Sequence, residues 1–107
     1  MKILKLSFFL FLLSHFAYTQ EKKIELKFDV YPNPASDFVI IESNSENINE
    51  FDFQIHSIIG NKVDLLGDVI SDRKIKFSVK EISNGYYFII VANENSKYKK
   101  ALRFLKK

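Results

Sequence analysis

The chain has 107 residues, with 16 basic and 13 acidic side chains, no Cys and no Trp, but 11 Phe and 5 Tyr. That length suits one domain. The missing cysteines exclude a disulfide staple, a thiolate nucleophile and a Cys-type metal site, while aromatic and β-branched residues together favour an all-β class.

Met1-Lys2-Ile3-Leu4-Lys5 is a short basic region, followed by the apolar run Leu6-Ser7-Phe8-Phe9-Leu10-Phe11-Leu12-Leu13. Ala17 and Thr19 put small residues just ahead of a cut before Gln20. Residues 1–19 therefore read as a secretory signal peptide. The apolar run is too short to cross a hydrocarbon core, which needs about 20 residues, so the mature form is expected to have no transmembrane anchor. His15 leaves with this segment. Lys2 and Lys5 leave too, so 14 of the 16 basic residues remain against 13 carboxylates. A nearly neutral domain carries no broad field to attract nucleic acid. Export without cysteine suits a bacterial envelope protein that holds its fold by core burial alone.

Glu21-Lys22-Lys23 is a polar lead. Ile24, Leu26, Phe28 and Val30 then alternate with Glu25, Lys27 and Asp29, the period of a half-buried strand. Residues 20–27 thus form a lead and the start of the first strand, and 28–107 the domain proper. Two prolines follow. Pro32 and Pro34 lack the N–H a ladder needs and fix φ, and they push Tyr31 and Asn33 out of the helical region. Val30-Tyr31-Pro32-Asn33-Pro34-Ala35-Ser36-Asp37 is predicted to be a stiff corner, a strand-to-strand crossover of a β-sandwich. Phe38 to Glu42 or Ser43 is a second strand, whose consecutive apolar residues suggest burial on both faces or an inner position.

Residues 44–50 are rich in turn formers. The carboxylates Glu46, Glu50 and Asp52 do not have the spacing of an EF-hand loop, so a solvated loop is expected. Phe51, Phe53 and Ile55 alternate with Asp52, Gln54 and His56, giving a third strand with His56 on its polar face. A turn centred on Gly60-Asn61 follows, then a short strand from Val63 to Leu66. Ile75, Phe77 and Val79 alternate with lysines and Ser78 in another strand. Asn84-Gly85 carries a hairpin signal. Tyr86 to Ala92 lacks polar alternation and is predicted to be a central strand buried on both faces. Lys97 to Lys107 closes the chain as a basic strand. About seven short strands at roughly ten-residue spacing predict an antiparallel sandwich of immunoglobulin-like type, without the Cys-Trp-Cys pattern of antibody domains.

The sequence offers little for catalysis. One histidine remains after processing, there is no Gly-rich phosphate loop, and no carboxylate pair is marked. No enzyme activity and no cofactor or metal site are expected. A small adhesive or binding sandwich is the alternative reading, with affinity placed in its loops.

Four short boxes carry a resemblance. Val30-Tyr31-Pro32-Asn33-Pro34-Ala35-Ser36-Asp37 resembles the opening box of the C-terminal sorting domains of the type IX (Por) secretion system of Bacteroidetes. Gly60-Asn61-Lys62-Val63 is similar to the Gly-Lys-x-Val-like second box. Ile82-Ser83-Asn84-Gly85-Tyr86-Tyr87 is similar to the third, with Ile replacing Leu, and Arg103-Phe104-Leu105-Lys106 to the basic fourth. The boxes occur in order and cover about residues 28–107. The resemblance implies an address passed through the periplasm and carried across the outer membrane by a translocon. In the type A branch a sortase-like protease removes it while cargo is attached to the surface. Cargo normally precedes such a domain, and here the chain departs from the pattern: no folded cargo fits between Gln20 and Asp29, so an address with almost no cargo is expected. Its basic end would offer charge-assisted contacts to an acidic receptor; a charged edge strand that only blocks aggregation is the plainer reading. N-terminal sequencing of the exported protein should begin at Gln20, and a retained Met1 would remove the signal-peptide reading.

Overall fold

A computed structural model describes residues 25–45 and 47–107. The signal peptide, Ile24 of the expected first strand and Glu46 lie outside the described residues. Among the described residues there are eight strands: β1 Phe28–Tyr31, β2 Phe38–Ser43, β3 Asp52–Ser57, β4 Lys62–Val63, β5 Gly67–Ser71, β6 Lys74–Ser78, β7 Gly85–Asn93 and β8 Tyr98–Lys106. They form two four-stranded sheets, ordered β1-β2-β6-β5 and β4-β3-β7-β8, with every neighbouring pair antiparallel. This is the immunoglobulin arrangement, in which the first, second, fifth and fourth principal strands share one sheet and an extra short strand flanks the third. The all-β sandwich predicted from strand spacing is the fold observed.

The core lies between the sheets because period-2 alternation turns one side chain in two inward. Val39 and Ile41 of β2, Phe77 of β6 and Val79 just beyond it face Ile55 of β3, Ile89 and Val91 of β7, and Phe104 of β8, all buried. Aromatic rings close both ends. At one end Phe28 meets Phe51 edge-on at 5.1 Å and Tyr98 at 6.0 Å. At the other, Tyr87 stacks on Phe104 at 5.6 Å. Such pairs favour offset or edge-to-face geometry beyond simple burial.

Several expectations change. Among the described residues the first strand begins at Phe28, and Glu25 to Lys27, expected within it, are not strand. Glu25 to Lys27 is instead clipped by the Asn44 side chain, which accepts from the Lys27 N–H at 2.9 Å and donates to the Glu25 carbonyl at 2.8 Å. The proline corner is not a crossover, because the strands it joins, β1 and β2, are neighbours in one sheet. Asn84-Gly85 makes no hairpin, since β6 and β7 belong to opposite sheets; residues 79–84 carry the chain between them. β7 is an inner strand, as expected, but only one face is fully buried. Tyr87, Ile89 and Val91 point into the core, whereas Phe88 and Ile90 are half-buried on the outside. The strand expected at Val63–Leu66 shrinks to Lys62–Val63, and Gly67–Ser71 supplies a strand not anticipated. The polar loop at 44–50 holds one apolar anchor, Ile48, which is buried within a short 3₁₀ turn.

Phe104 is fully buried on an edge strand, so β8 owes its place to what that ring fills. Phe104→Ala should lower unfolding free energy by about 3–5 kcal/mol, the usual loss for a buried Phe, read from urea denaturation; a loss under about 1 kcal/mol would mean that β8 is not integral to the core.

Candidate functional site

The four boxes gather at one end of the sandwich, and strand pairing alone brings them there. β7 starts at this end and β8 finishes at it, with Gly85 opposite Lys106 and Tyr87 opposite Phe104. β3 also finishes here, Ser57 lying opposite Tyr87, so the β3–β4 turn carrying Gly60 projects from the same end. The proline corner joins β1 to β2 here as well, where Phe38 pairs with Ser78.

The first and fourth boxes are directly bonded. Ala35 forms a parallel bridge with Lys106. Its N–H donates to the Leu105 carbonyl at 2.7 Å, and its carbonyl accepts from the Lys107 N–H at 2.8 Å. The Leu105 N–H donates to Asn33 Oδ1 at 3.0 Å. The prolines explain why this corner can serve: neither carries an N–H that competes for a ladder bond, which leaves that pairing to Ala35. Both Tyr31-Pro32 and Asn33-Pro34 are cis. The Asp37 carbonyl accepts from the Val79 N–H at 2.9 Å, tying the corner to the crossing segment too. Ala35 is buried, and its short side chain lets the two backbones meet.

The third box contributes a tyrosine corner. Tyr87 stands near the start of β7, and its hydroxyl donates to the Ser83 carbonyl four residues upstream at 2.7 Å. Immunoglobulin-like sandwiches use a tyrosine in this position to fix the crossing between sheets. Gly85 has φ +146° and Gly60 has φ +90°, both in a region that residues with a Cβ rarely adopt. The Gly60 N–H closes its turn onto the Ser57 carbonyl at 2.9 Å.

The box residues thus divide. Tyr87, Phe104 and Lys106 are buried and Val63 packs against the core. Pro32, Asn33, Pro34, Asp37, Gly60, Lys62, Tyr86 and Arg103 are exposed, and Leu105 is intermediate. Tyr31 sits apart on the outer face of its sheet, where its hydroxyl donates to Glu42 Oε1 at 2.7 Å. That hydrogen bond to a carboxylate is the main reason its phenol titrates above the ordinary tyrosine value of 10.0. The raised value favours the fold below pH 10, and this small contribution fades as pH rises through the folded phenol's titration. Lys62 lies 4.0 Å from Asp64, and the Arg103 guanidinium lies over the Tyr86 ring at 5.0 Å.

The basic terminal strand is therefore not uniformly presented. Lys99, Lys100, Arg103 and Lys107 face solvent, but Lys106 is only 7% exposed, its Nζ donating to the Lys107 carbonyl oxygen at 3.2 Å. The alternation that buries Phe104 puts Lys106 on the same inward face. His56 is half-buried, its Nδ1 3.2 Å from the Gly60 carbonyl oxygen and its Nε2 3.2 Å from Gln54 Oε1. Among the described residues no group of three or more His, Cys, Asp or Glu side chains could hold a metal ion, and no helix is long and apolar enough to cross a membrane. Sequence reasoning missed Ala35 and Ser83 as bonding partners. Ala35 acts through backbone groups, which leave no signature in side-chain type, and Ser83 accepts through its carbonyl with its Oγ also 3.2 Å from the Tyr87 hydroxyl.

Asn33→Ala should cost about 1 kcal/mol, the net value of one hydrogen bond, and should speed amide exchange at Leu105 more than at Ile89. Unchanged exchange at Leu105 would show that the clasp does not depend on this side chain.

The comparisons with known proteins agree with this geometry. The family model described as secretion system C-terminal sorting domain matches residues 29–103, which run from the first box into the start of the fourth. No curated protein and no solved structure matches the chain.

Proposed function

Because the chain belongs to the family of secretion system C-terminal sorting domains, we propose that its box-bearing end is the surface read during export. The domain is a type IX secretion sorting signal, and its partner is the type IX secretion machinery. Its destination is the cell surface or the medium. In our reading the route passes through the periplasm, and the specific partners are an outer-membrane translocon and a sortase-like protease. The observation that carries this reading is the convergence of all four boxes at one end, locked by the Ala35–Lys106 bridge.

The exposed members of the boxes would do the reading. Pro32 and Pro34 give the surface a stiff contour, since neither can rearrange its φ. Arg103 and Lys107 supply charge for an acidic receptor surface, where contacts of this kind favour specificity and encounter rate. The buried members hold those groups in place. An address must survive transit folded, and this one has no crosslink, so its core and its label share residues. The reading assigns no reaction to the chain. Its described histidine, His56, is occupied by contacts to Gln54 and Gly60.

Deleting β8 cannot test the label, because deletion removes Phe104 and the fold with it. Charge reversal can. A reporter placed ahead of residues 20–107 should reach the surface or medium of a strain that has the machinery. The Arg103→Glu/Lys107→Glu variant should retain the parent's thermal midpoint yet lower exported reporter roughly ten-fold, equivalent to about 1.4 kcal/mol of binding. Undiminished export of the folded variant would remove the basic end from the address.

A further inference from the structure

The two sheets finish their outer faces differently. On the β1-β2-β6-β5 sheet the inner strands are partly covered by the chain's own charges, and the apolar groups left open are Val69 and Ile70 on its edge strand. Lys76 Nζ lies over the Phe38 ring at 4.5 Å, and Tyr31, Glu42 and Lys74 form a linked set across the strands. On the β4-β3-β7-β8 sheet, Phe88 and Ile90 line an open groove of about 430 Å³. Its other walls include Gln54, His56, Ile58 and Lys99. Ile58 at its mouth is 65% exposed, and Ile59 beside it 79%. Scattered exposed apolar residues need no explanation, but a contiguous concave one marks an interaction surface.

The charge around the groove selects its occupant. Along β8 the outward positions are Lys99, Ala101 and Arg103, opposite Ala92, Ile90 and Phe88 of β7. Across the face Lys62 pairs with His56 in register, but its charge is offset by Asp64 at 4.0 Å. Among the described strand positions of this face the one carboxylate is Asp52, at the far end opposite Ala92. The rim is therefore basic on the β8 side and apolar in the centre. A second copy of this chain would bring two basic rims together, which is unfavourable. A planar membrane surface cannot follow a groove between strands, whereas a protruding side chain can.

We propose that this outer face docks an extended segment of a protein partner, with an apolar side chain seated between His56, Phe88 and Ile90 and flanking carboxylates on Lys99 and Arg103. The segment lies over the sheet rather than adding a strand to its edge. Phe88, Ile90 and Lys99 belong to none of the four boxes, so this surface does not depend on the clasped end being the export address. Gly60, which lines the groove, and Arg103 belong to both.

The test uses the full chain, isotopically labelled, and two synthetic probes, the peptides Glu-Leu-Glu-Phe-Glu and Lys-Leu-Lys-Phe-Lys. Titrating the acidic peptide should shift amide resonances at 54–60, 88–90 and 99–103 and leave those of β1, β2 and β6 in place. The lysine peptide should shift none of them. Phe88→Thr and Lys99→Glu each alter an outward side chain, and each should weaken the acidic peptide at least about ten-fold while the thermal midpoint holds. The Lys27→Glu variant, an exposed position just before β1, should bind as the parent does. Absence of shifts at millimolar peptide, shifts confined to other surfaces, or equal response to both peptides would overturn the proposal. So would binding to phosphatidylglycerol vesicles that abolishes the peptide response, since that assigns the face to a lipid surface.

Discussion

A strand at the edge of a sheet has one hydrogen-bonded neighbour and nothing to hold its other side. In this protein β8 is held on both. Its length pairs with β7, and its last residues bond to Ala35 and Asn33 of the proline corner. The second attachment crosses from one sheet to the other, so it joins the layers by backbone hydrogen bonds as well as by packed side chains. Net, each such bond contributes on the order of 1 kcal/mol, but their position matters more than their sum. They hold Leu105 and Lys107, just after Phe104, whose ring stacks on Tyr87. In a domain without disulfides, that end has no other backbone lock between β8 and the opposite sheet among the described residues.

This arrangement explains why the boxes contain such different residue types. A motif of consecutive residues on a strand must send alternate side chains to opposite faces. Tyr86 and Arg103 are therefore outside while Tyr87 and Phe104 are inside. One half of each box builds the fold and the other half is available to a partner. The glycines and prolines between them shape the turns. Recognition and stability are coupled for a geometric reason: a receptor that reads the exposed half reads a surface that exists only when the buried half has packed.

The sandwich also has two distinct outer surfaces. On one, Lys76 lies over Phe38 and a tyrosine–glutamate contact spans the strands, with Val69 and Ile70 open only at the edge strand. On the other, an inner strand leaves Phe88 and Ile90 partly open beside a basic edge. Sequence pattern treats both the same way, since Phe38-Val39-Ile40-Ile41 and Tyr86-Tyr87-Phe88-Ile89-Ile90 are each unbroken apolar runs. Neither run is buried on both faces. In a two-layer sandwich no third layer exists to cover the outside, so an unbroken run here signals a shared outer surface rather than a fully interior strand.

The all-β class, most of the strands and the four boxes were legible from residue order because they follow from local rules. Alternation marks an inward face, prolines forbid a ladder, and a Gly-Asn pair tolerates a tight turn. Errors arose where a local signal was decided by a distant one. Asn84-Gly85 is compatible with a hairpin, but β6 finds its partners in the other sheet. The proline corner looks like a crossover, but its ends join neighbouring strands. Lys106 reads as one more exposed cation, yet it shares a face with Phe104. Residue order alone determined that this chain makes strands, where they break and which side of each is apolar. Tertiary structure alone decided that the boxes meet at one end and that Ala35 bonds the last strand. The reason is that both depend on pairings between residues some seventy positions apart, made through backbone groups that every residue type shares.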